Sequence, residues 1–305
     1  MKNVLKTVSF FLALALLTGL LSLLLRPKGN RAEDGMLEAG AMGILAEPED
    51  TLDVVFLGDS IAYCCFDPVQ LWKESGIASY VCAGVDQRLY QADEYLDIAL
   101  SRQQPRLVIL ETNILYRDHG ALEGLAYQAE RYIPALRYHD RWKDLTLRDL
   151  NPTVQHTSIV KEKGVYPKYE IDPADTSNYA IPTEVQTPAP SQNQRLLAKM
   201  AKKCAASGAE LILVSAPTTR NWDYTRHNAL SRLAQNLGLR YYDLNLMPEE
   251  VPIDWALDTL DRGDHLNVTG AQKVTAWVQE FFIDMKLFTD HRGRDAYAHW
   301  DALIA

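Results

Sequence analysis

Five short apolar runs, each bounded by turn residues and separated by stretches of helical period, constrain this chain most. They lie at residues 54–57, 79–82, 107–110, 211–214 and 241–244. Runs of four without polar alternation suit strands buried on both faces. Their alternation with helices points to a parallel sheet with helices packed above and below it. Residues 90–100 and 196–206 carry apolar side chains at helical spacing. Asp67-Pro68 opens another helix, with aspartate as N-cap, proline in the first turn and Gln70 completing a capping box. At 305 residues the chain is long enough for one α/β core with an insertion.

Ahead of this pattern, residues 8–25 contain no charge, while Lys2 and Lys6 precede them and Arg26, Lys28 and Arg31 follow. As a helix this stretch spans roughly 27 Å, close to one hydrocarbon core. A cleaved signal peptide has a shorter apolar region with a small-residue site close behind it. Here the only such site, Ala39-Gly40-Ala41, lies too far downstream. The expectation is an uncleaved signal anchor at 1–28, a single pass with the rest of the chain outside the cytoplasm, and a tether at 29–50. The main domain is expected at 51–288, with an insertion or lid at 142–192 where Pro, Ser, Thr and Asn concentrate, and a C-terminal tail at 289–305. Basic residues on both flanks leave the positive-inside rule indecisive.

The net charge of −9 opposes a nucleic-acid role, which needs a basic face. Cys64, Cys65, Cys82 and Cys204 form neither a metal pattern nor a disulfide framework, and they read as small packing residues. His119 and His227 have no partners at metal-ligand spacing and read as surface residues.

Four places near the ends of these runs carry polar residues suited to chemistry. Gly58-Asp59-Ser60 follows the first run, where a glycine permits a sharp turn that exposes the serine hydroxyl. A serine is a poor nucleophile at neutral pH and needs an adjacent base. His265, within Asp261-Arg262-Gly263-Asp264-His265-Leu266-Asn267, is the best candidate, fixed just ahead of a helix that Thr269 and Gln272 open as a capping box. Gly84 closes the second run, where the lack of a Cβ lets a backbone N–H approach an oxyanion. Asn113, in Glu111-Thr112-Asn113, offers a side-chain amide to the same oxyanion, with Glu111 placed to orient it or a neighbouring backbone group. A carboxylate must hold the imidazole's tautomer. Asp264 is adjacent to His265 and a neighbour rarely reaches the ring nitrogen, so Asp261 is slightly preferred and Asp264 stays open.

In order and spacing these blocks resemble those of the SGNH (GDSL-like) hydrolase superfamily over roughly residues 50–285, with Ser60, Gly84, Asn113 and His265 at the four named positions. The runs DRGDHLNVTGAQKVT and YHDRWKDL look like a bacterial membrane-tethered branch, similar to envelope proteins of polysaccharide O-acetylation and teichoic-acid D-alanylation. The resemblance implies a flavodoxin-like three-layer α/β/α sandwich and no metal or other cofactor. It also implies acyl transfer from an ester to water or a sugar hydroxyl, with an oxyanion hole made by Ser60, Gly84 and Asn113. Two departures stand out. The family's usual acid, three residues before the histidine, is Arg262 here, and the Asn block reads Glu-Thr-Asn rather than Gly-x-Asn-Asp. Either departure also suits a non-catalytic scaffold that binds glycan or an envelope assembly partner. His139-Asp140-Arg141-Trp142 has the chemistry to line an acceptor site, although a helix end packed on the insertion is the preferred reading. Asp290-His291-Arg292 is placed to dock the tail.

Overall fold

All five apolar runs lie in strands of one sheet, which lets their backbone amides pair with neighbouring strands, and at one edge Val81 N donates instead to Lys163 O at 2.9 Å. The computed structural model describes residues 1–305, the side chain at position 121 excepted. In chain order its elements begin with helix α1 (Lys2–Leu25), β1 (Val54–Gly58), α2 (Ser60–Cys65), α3 (Pro68–Ser75), β2 (Ser79–Ala83) and α4 (Leu89–Arg102). There follow β3 (Leu107–Glu111), α5 (Ala121–Tyr132), α6 (Pro134–Arg137), α7 (Ser191–Ala206), β4 (Glu210–Ser215) and α8 (Tyr224–Leu237). Then come β5 (Arg240–Asp243), β6 (Thr259–Leu260), β7 (His265–Leu266) and α9 (Val268–Met285), with one-turn helices at Ala39–Met42 and Ala298–Asp301 and short 3-10 turns between several elements. The fifth strand ends one residue earlier than its apolar run suggests, because Leu244 begins a 3-10 turn capped by the Asp243 carboxylate.

The sheet is wholly parallel, in the order β2-β1-β3-β4-β5. That is the flavodoxin-like order, in which the winding reverses between β1 and β3 and opens a crevice at the strands' carboxyl ends. Alternate strand residues face opposite layers. Val54, Phe56, Val81, Ile109, Ile212 and Val214 join one core cluster with Leu71 of α3 and Trp277, Val278 and Phe282 of α9. Val55, Leu57, Tyr80, Val108, Leu110 and Leu213 are equally buried on the face covered by α4 and α7. The three-layer α/β/α class expected from the sequence is the class observed.

Two helix starts differ in their caps. Asp67 caps α3 alone, accepting from the amides of Val69 and Gln70, and the Gln70 amide reaches Gln272 O instead of closing a box. Helix α9 is capped by Asn267 rather than by Thr269. The Asn267 Oδ1 accepts from Thr269 N at 3.1 Å, Gly270 N at 3.2 Å and the Thr269 hydroxyl at 2.7 Å, which leaves Thr269 inside the first turn.

The chain divides into two compact units, Met1–Ala39 with His119–Ser158, and Gly40–Asp118 with Ile159–Ala305. In the first, Arg141 Nη1 donates to Leu25 O at 2.7 Å and Ala135 N to Ser22 Oγ at 3.1 Å. Arg141 therefore satisfies a carbonyl that the last turn of α1 leaves without a helical partner. Its Nη2 donates to Asp149 Oδ1 at 2.7 Å, within residues 142–192, so the turn around Arg141 packs on the insertion, as the preferred reading has it, and also on the N-terminal helix.

In the second unit, the stretch read as a tether is partly built into the core. Ala41, Met42 and Ile44 are buried, and Tyr80 Oη donates to Gly40 O at 2.7 Å. Glu47, fully buried, pairs with the equally buried Lys163 at 2.7 Å and with His299 Nε2 at 3.0 Å. The Lys163 ammonium lies 4.1 Å from the centre of the Trp300 ring. The C-terminal residues dock beside it, with Tyr297 and Trp300 against Trp72 and His291 Nε2 within 3.2 Å of Asp53 Oδ1. The four cysteines are buried free thiols.

Candidate active site

Ser60 is the first residue of α2, immediately beyond β1, and Asp59 makes the turn as N-cap by accepting from Ile61 N at 3.0 Å. Gly58 is required here for closeness rather than for an unusual dihedral angle. A Cβ at this position would meet Ala62 Cβ at 2.6 Å and Glu111 Cβ at 3.0 Å, so any larger residue would push α2 away from β3. Because Ala83 is in register with Gly58, Gly84 leaves the sheet at the same edge. Asn113 follows β3 on the other side of β1. Ser60 and Asn113 therefore flank the point where the winding reverses.

His265 arrives from a different part of the fold. It is the first residue of β7, paired antiparallel with Leu260. The four residues between them make a tight loop in which Asp261, Arg262 and Gly263 all take positive φ, at 47°, 60° and 85°. Two successive non-glycine residues in this region cost about 1–3 kcal/mol each and persist only where surrounding contacts impose them. The second unit supplies such contacts: Thr219 N and Thr218 Oγ1 donate to Gly263 O at 2.9 and 3.0 Å, and Asn221 Nδ2 donates to Asp264 Oδ1. The segment 168–174 borders the same loop, with Ala174 N bonded to Trp255 O, Asp172 N to Thr259 O and Val268 N to Lys168 O.

The outcome is a relay of short contacts. His265 Nε2 lies 2.7 Å from Ser60 Oγ, and Nδ1 lies 2.8 Å from Asp261 Oδ2. The other Asp261 oxygen accepts the His265 backbone N–H at 2.9 Å, so one carboxylate holds both the ring and its own main chain. Asp264 Oδ2 is 3.9 Å from Nδ1, beyond hydrogen-bond distance, and Asp264 is instead engaged by Asn221. The left-handed turn is what lets an acid four residues upstream reach the ring. Asp261, Asp264 and His265 bring three donor atoms within 4.8 Å of one another.

Around Asn113 lies a network of which the sequence disclosed only the part played by Glu111. Its Nδ2 donates to Asp59 Oδ2 at 2.8 Å, its Oδ1 accepts from Arg226 Nη1 at 3.3 Å, and its backbone N–H donates to Glu111 Oε2 at 2.9 Å. Arg117 Nε meets the same Asp59 oxygen at 2.5 Å and its Nη1 meets Asp86 at 2.6 Å. These partners fix the amide's rotamer, with nitrogen turned toward the β1 edge and one N–H still unassigned to Asp59. Arg226 is separated from Asn113 by 113 residues, and nothing local in the sequence marks it. His227, read as a surface residue, is part-buried and lies 2.7 Å from Asp243 Oδ2.

Glu111 has no counterpart in the expected block, and it is almost fully buried. Burial, reinforced by the Asp59 carboxylate, lifts its pKa well above the usual carboxylate range. The unfolded chain releases this proton near the ordinary value of 4.5 while the folded chain retains it. Above that pH the native state binds more protons than the unfolded state, so the stability from this residue is complete in acid and declines as pH climbs toward the raised value. Glu111→Gln keeps an acceptor for Asn113 N–H and cannot titrate. The expected result is that the variant's melting temperature gains steadily on the wild type between pH 5 and pH 8. Differential scanning calorimetry of the detergent-solubilised full chain checks this, and a pH-independent offset between the two proteins would refute the assignment.

No protein-family model matches the sequence, and none of the curated proteins matches it. Among solved structures the chain is similar to a psychrotrophic esterase EstA from Pseudoalteromonas sp., at 11% identity over 76% of this chain and 98% of that one, with a TM-score of 0.40. It is also similar to a lipase/acylhydrolase from Enterococcus faecalis (12% identity, 77% and 97% covered, TM-score 0.40). A third is a GDSL-like lipase from Bacteroides thetaiotaomicron (14% identity, 76% and 88% covered, TM-score 0.37). Identities this low leave the reading of the site to its own geometry.

Proposed function

We propose that this chain is a serine-dependent ester hydrolase or O-acyltransferase, held at a membrane by α1 and working outside the cytoplasm on acyl esters of a cell-envelope glycan. The observation that supports this reading most is the unbroken line Ser60 Oγ, His265 Nε2, His265 Nδ1, Asp261 Oδ2, with contacts of 2.7 and 2.8 Å. In the proposed reaction Ser60 Oγ attacks the ester carbonyl carbon as His265 takes the hydroxyl proton, and Asp261 stabilises the imidazolium. The carbonyl oxygen gains the negative charge in a tetrahedral intermediate. Backbone N–H groups of Ser60 and Gly84 and the second N–H of Asn113 are the donors assigned to it. Collapse expels the alcohol, which leaves with the proton from His265. Water or a carbohydrate hydroxyl then repeats the sequence on the acyl-enzyme.

A second reading draws on two observations. Ser60 is only 6% exposed, and one Asn113 N–H is committed to Asp59. Both suit a chain that keeps the fold and binds glycan or an assembly partner without turnover. A fluorophosphonate probe separates the two readings. The expected result is covalent labelling of the full chain, lost in Ser60→Ala. Absence of labelling in a protein that melts cooperatively favours the scaffold.

A further inference from the structure

Helix α1 is apolar on every side, and its partial burial is confined to its last turns. Its side chains are otherwise exposed, as at Phe10, Leu16 and Leu20, whereas Leu25 is buried. The elements that cover those last turns come from residues 134–150 of the same unit. We infer that the segment 132–150 is a membrane-interface collar, which rests in the headgroup and upper acyl region of the phospholipid bilayer that α1 spans. The inference depends on α1 being the membrane anchor, as in the function proposed above.

Depth follows from the helix itself. Its uncharged part, residues 8–25, rises about 27 Å, so Leu25 falls at one edge of a hydrocarbon core about 30 Å thick. Ser22 lies three residues, about 4.5 Å, before that end. Ala135 N donates to Ser22 Oγ and Arg141 Nη1 to Leu25 O, which puts α6 and the following turn level with the boundary. A segment tied to that level cannot stand in bulk water while α1 is inserted.

The side chains it presents suit that position. Tyr132, Leu136, Trp142, Leu147 and Leu150 are exposed large apolar or aromatic residues, with Trp142 at 66% and Leu147 at 86%. Tryptophan and tyrosine are favoured at the headgroup level, where the ring is desolvated and its polar edge stays wet. The charge balance also changes here. Residues 132–150 hold four Lys and Arg against three Asp and Glu, whereas the chain as a whole holds 31 against 40. A segment free of the chain's acidic excess is not repelled by lipid phosphates. Lys143, 5.9 Å from the Trp142 ring centre, sets a cation beside the aromatic anchor.

Site-directed spin labelling of the full chain in phosphatidylcholine–phosphatidylglycerol nanodiscs tests the collar. The four native cysteines are buried, and nitroxides are introduced by Trp142→Cys, Leu147→Cys, Leu12→Cys within α1 and Glu249→Cys as the water reference. The expected result is an oxygen-over-nickel-chelate accessibility ratio at 142 and 147 several-fold above that at 249, with Leu12 higher still. Water-like ratios at 142 and 147 beside a lipid-like Leu12 overturn the collar and leave the anchor standing. A water-like Leu12 overturns both. Neither outcome bears on the fluorophosphonate result, so loss of the collar and loss of the esterase reading are told apart.

Discussion

Under the proposed function, His265→Ala is expected to lower kcat for a short-chain acyl ester by about 10⁴- to 10⁶-fold, with little change in KM. The magnitude follows from what the ring does. Its Nε2 is the only base within hydrogen-bond distance of Ser60 Oγ among the described contacts, at 2.7 Å, and without it the hydroxyl keeps its proton. Removing the imidazole leaves the oxyanion donors and the substrate-binding contacts in place, so residual turnover above the uncatalysed rate persists. Steady-state kinetics of the full-length wild type and variant, with matched melting curves, checks the result. A loss below tenfold in a folded variant would mean that another base serves Ser60.

The second large effect separates two neighbouring carboxylates. Asp261→Asn should lower kcat by roughly 10⁴-fold, because the amide presents N–H toward Nδ1 and favours the wrong imidazole tautomer. Asp264→Asn should lower it less than tenfold. Its oxygen lies 3.9 Å from Nδ1, and its contact with Asn221 can be retained by an amide oxygen. Equal losses in the two variants would return the acid to an open question.

The strands were legible because four-residue apolar runs rich in Val, Ile and Leu leave little choice in a chain that alternates with helices. Ser60 and His265 were legible because each sits at an element boundary with its own turn chemistry. The identity of the acid was not, because it depends on left-handed backbone at Asp261 and Arg262. Non-glycine residues give no sign of that conformation, and here it is imposed by Thr218, Thr219 and Asn221 from more than forty positions away. Arg226 and Arg117 escaped for the same reason, since their partners lie 113 and 58 residues distant. The helix caps were misplaced by two residues at α9 because Thr-x-x-Gln satisfies the pattern as well as Asn267 does, and only the amide directions distinguish them. Residues 40–50 looked like a tether because their composition is Gly- and Ala-rich, yet Glu47 belongs to a buried ion pair whose partner is 116 residues away.

The hydroxyls and amide at Thr218, Thr219 and Asn221 touch no reacting atom, but they hold the turn on which the imidazole hangs. Under the proposed function, substitutions that accumulate beyond the end of the fourth strand would therefore detune turnover by letting the ring shift away from Ser60. Such a lineage would keep every residue of the relay and still go silent.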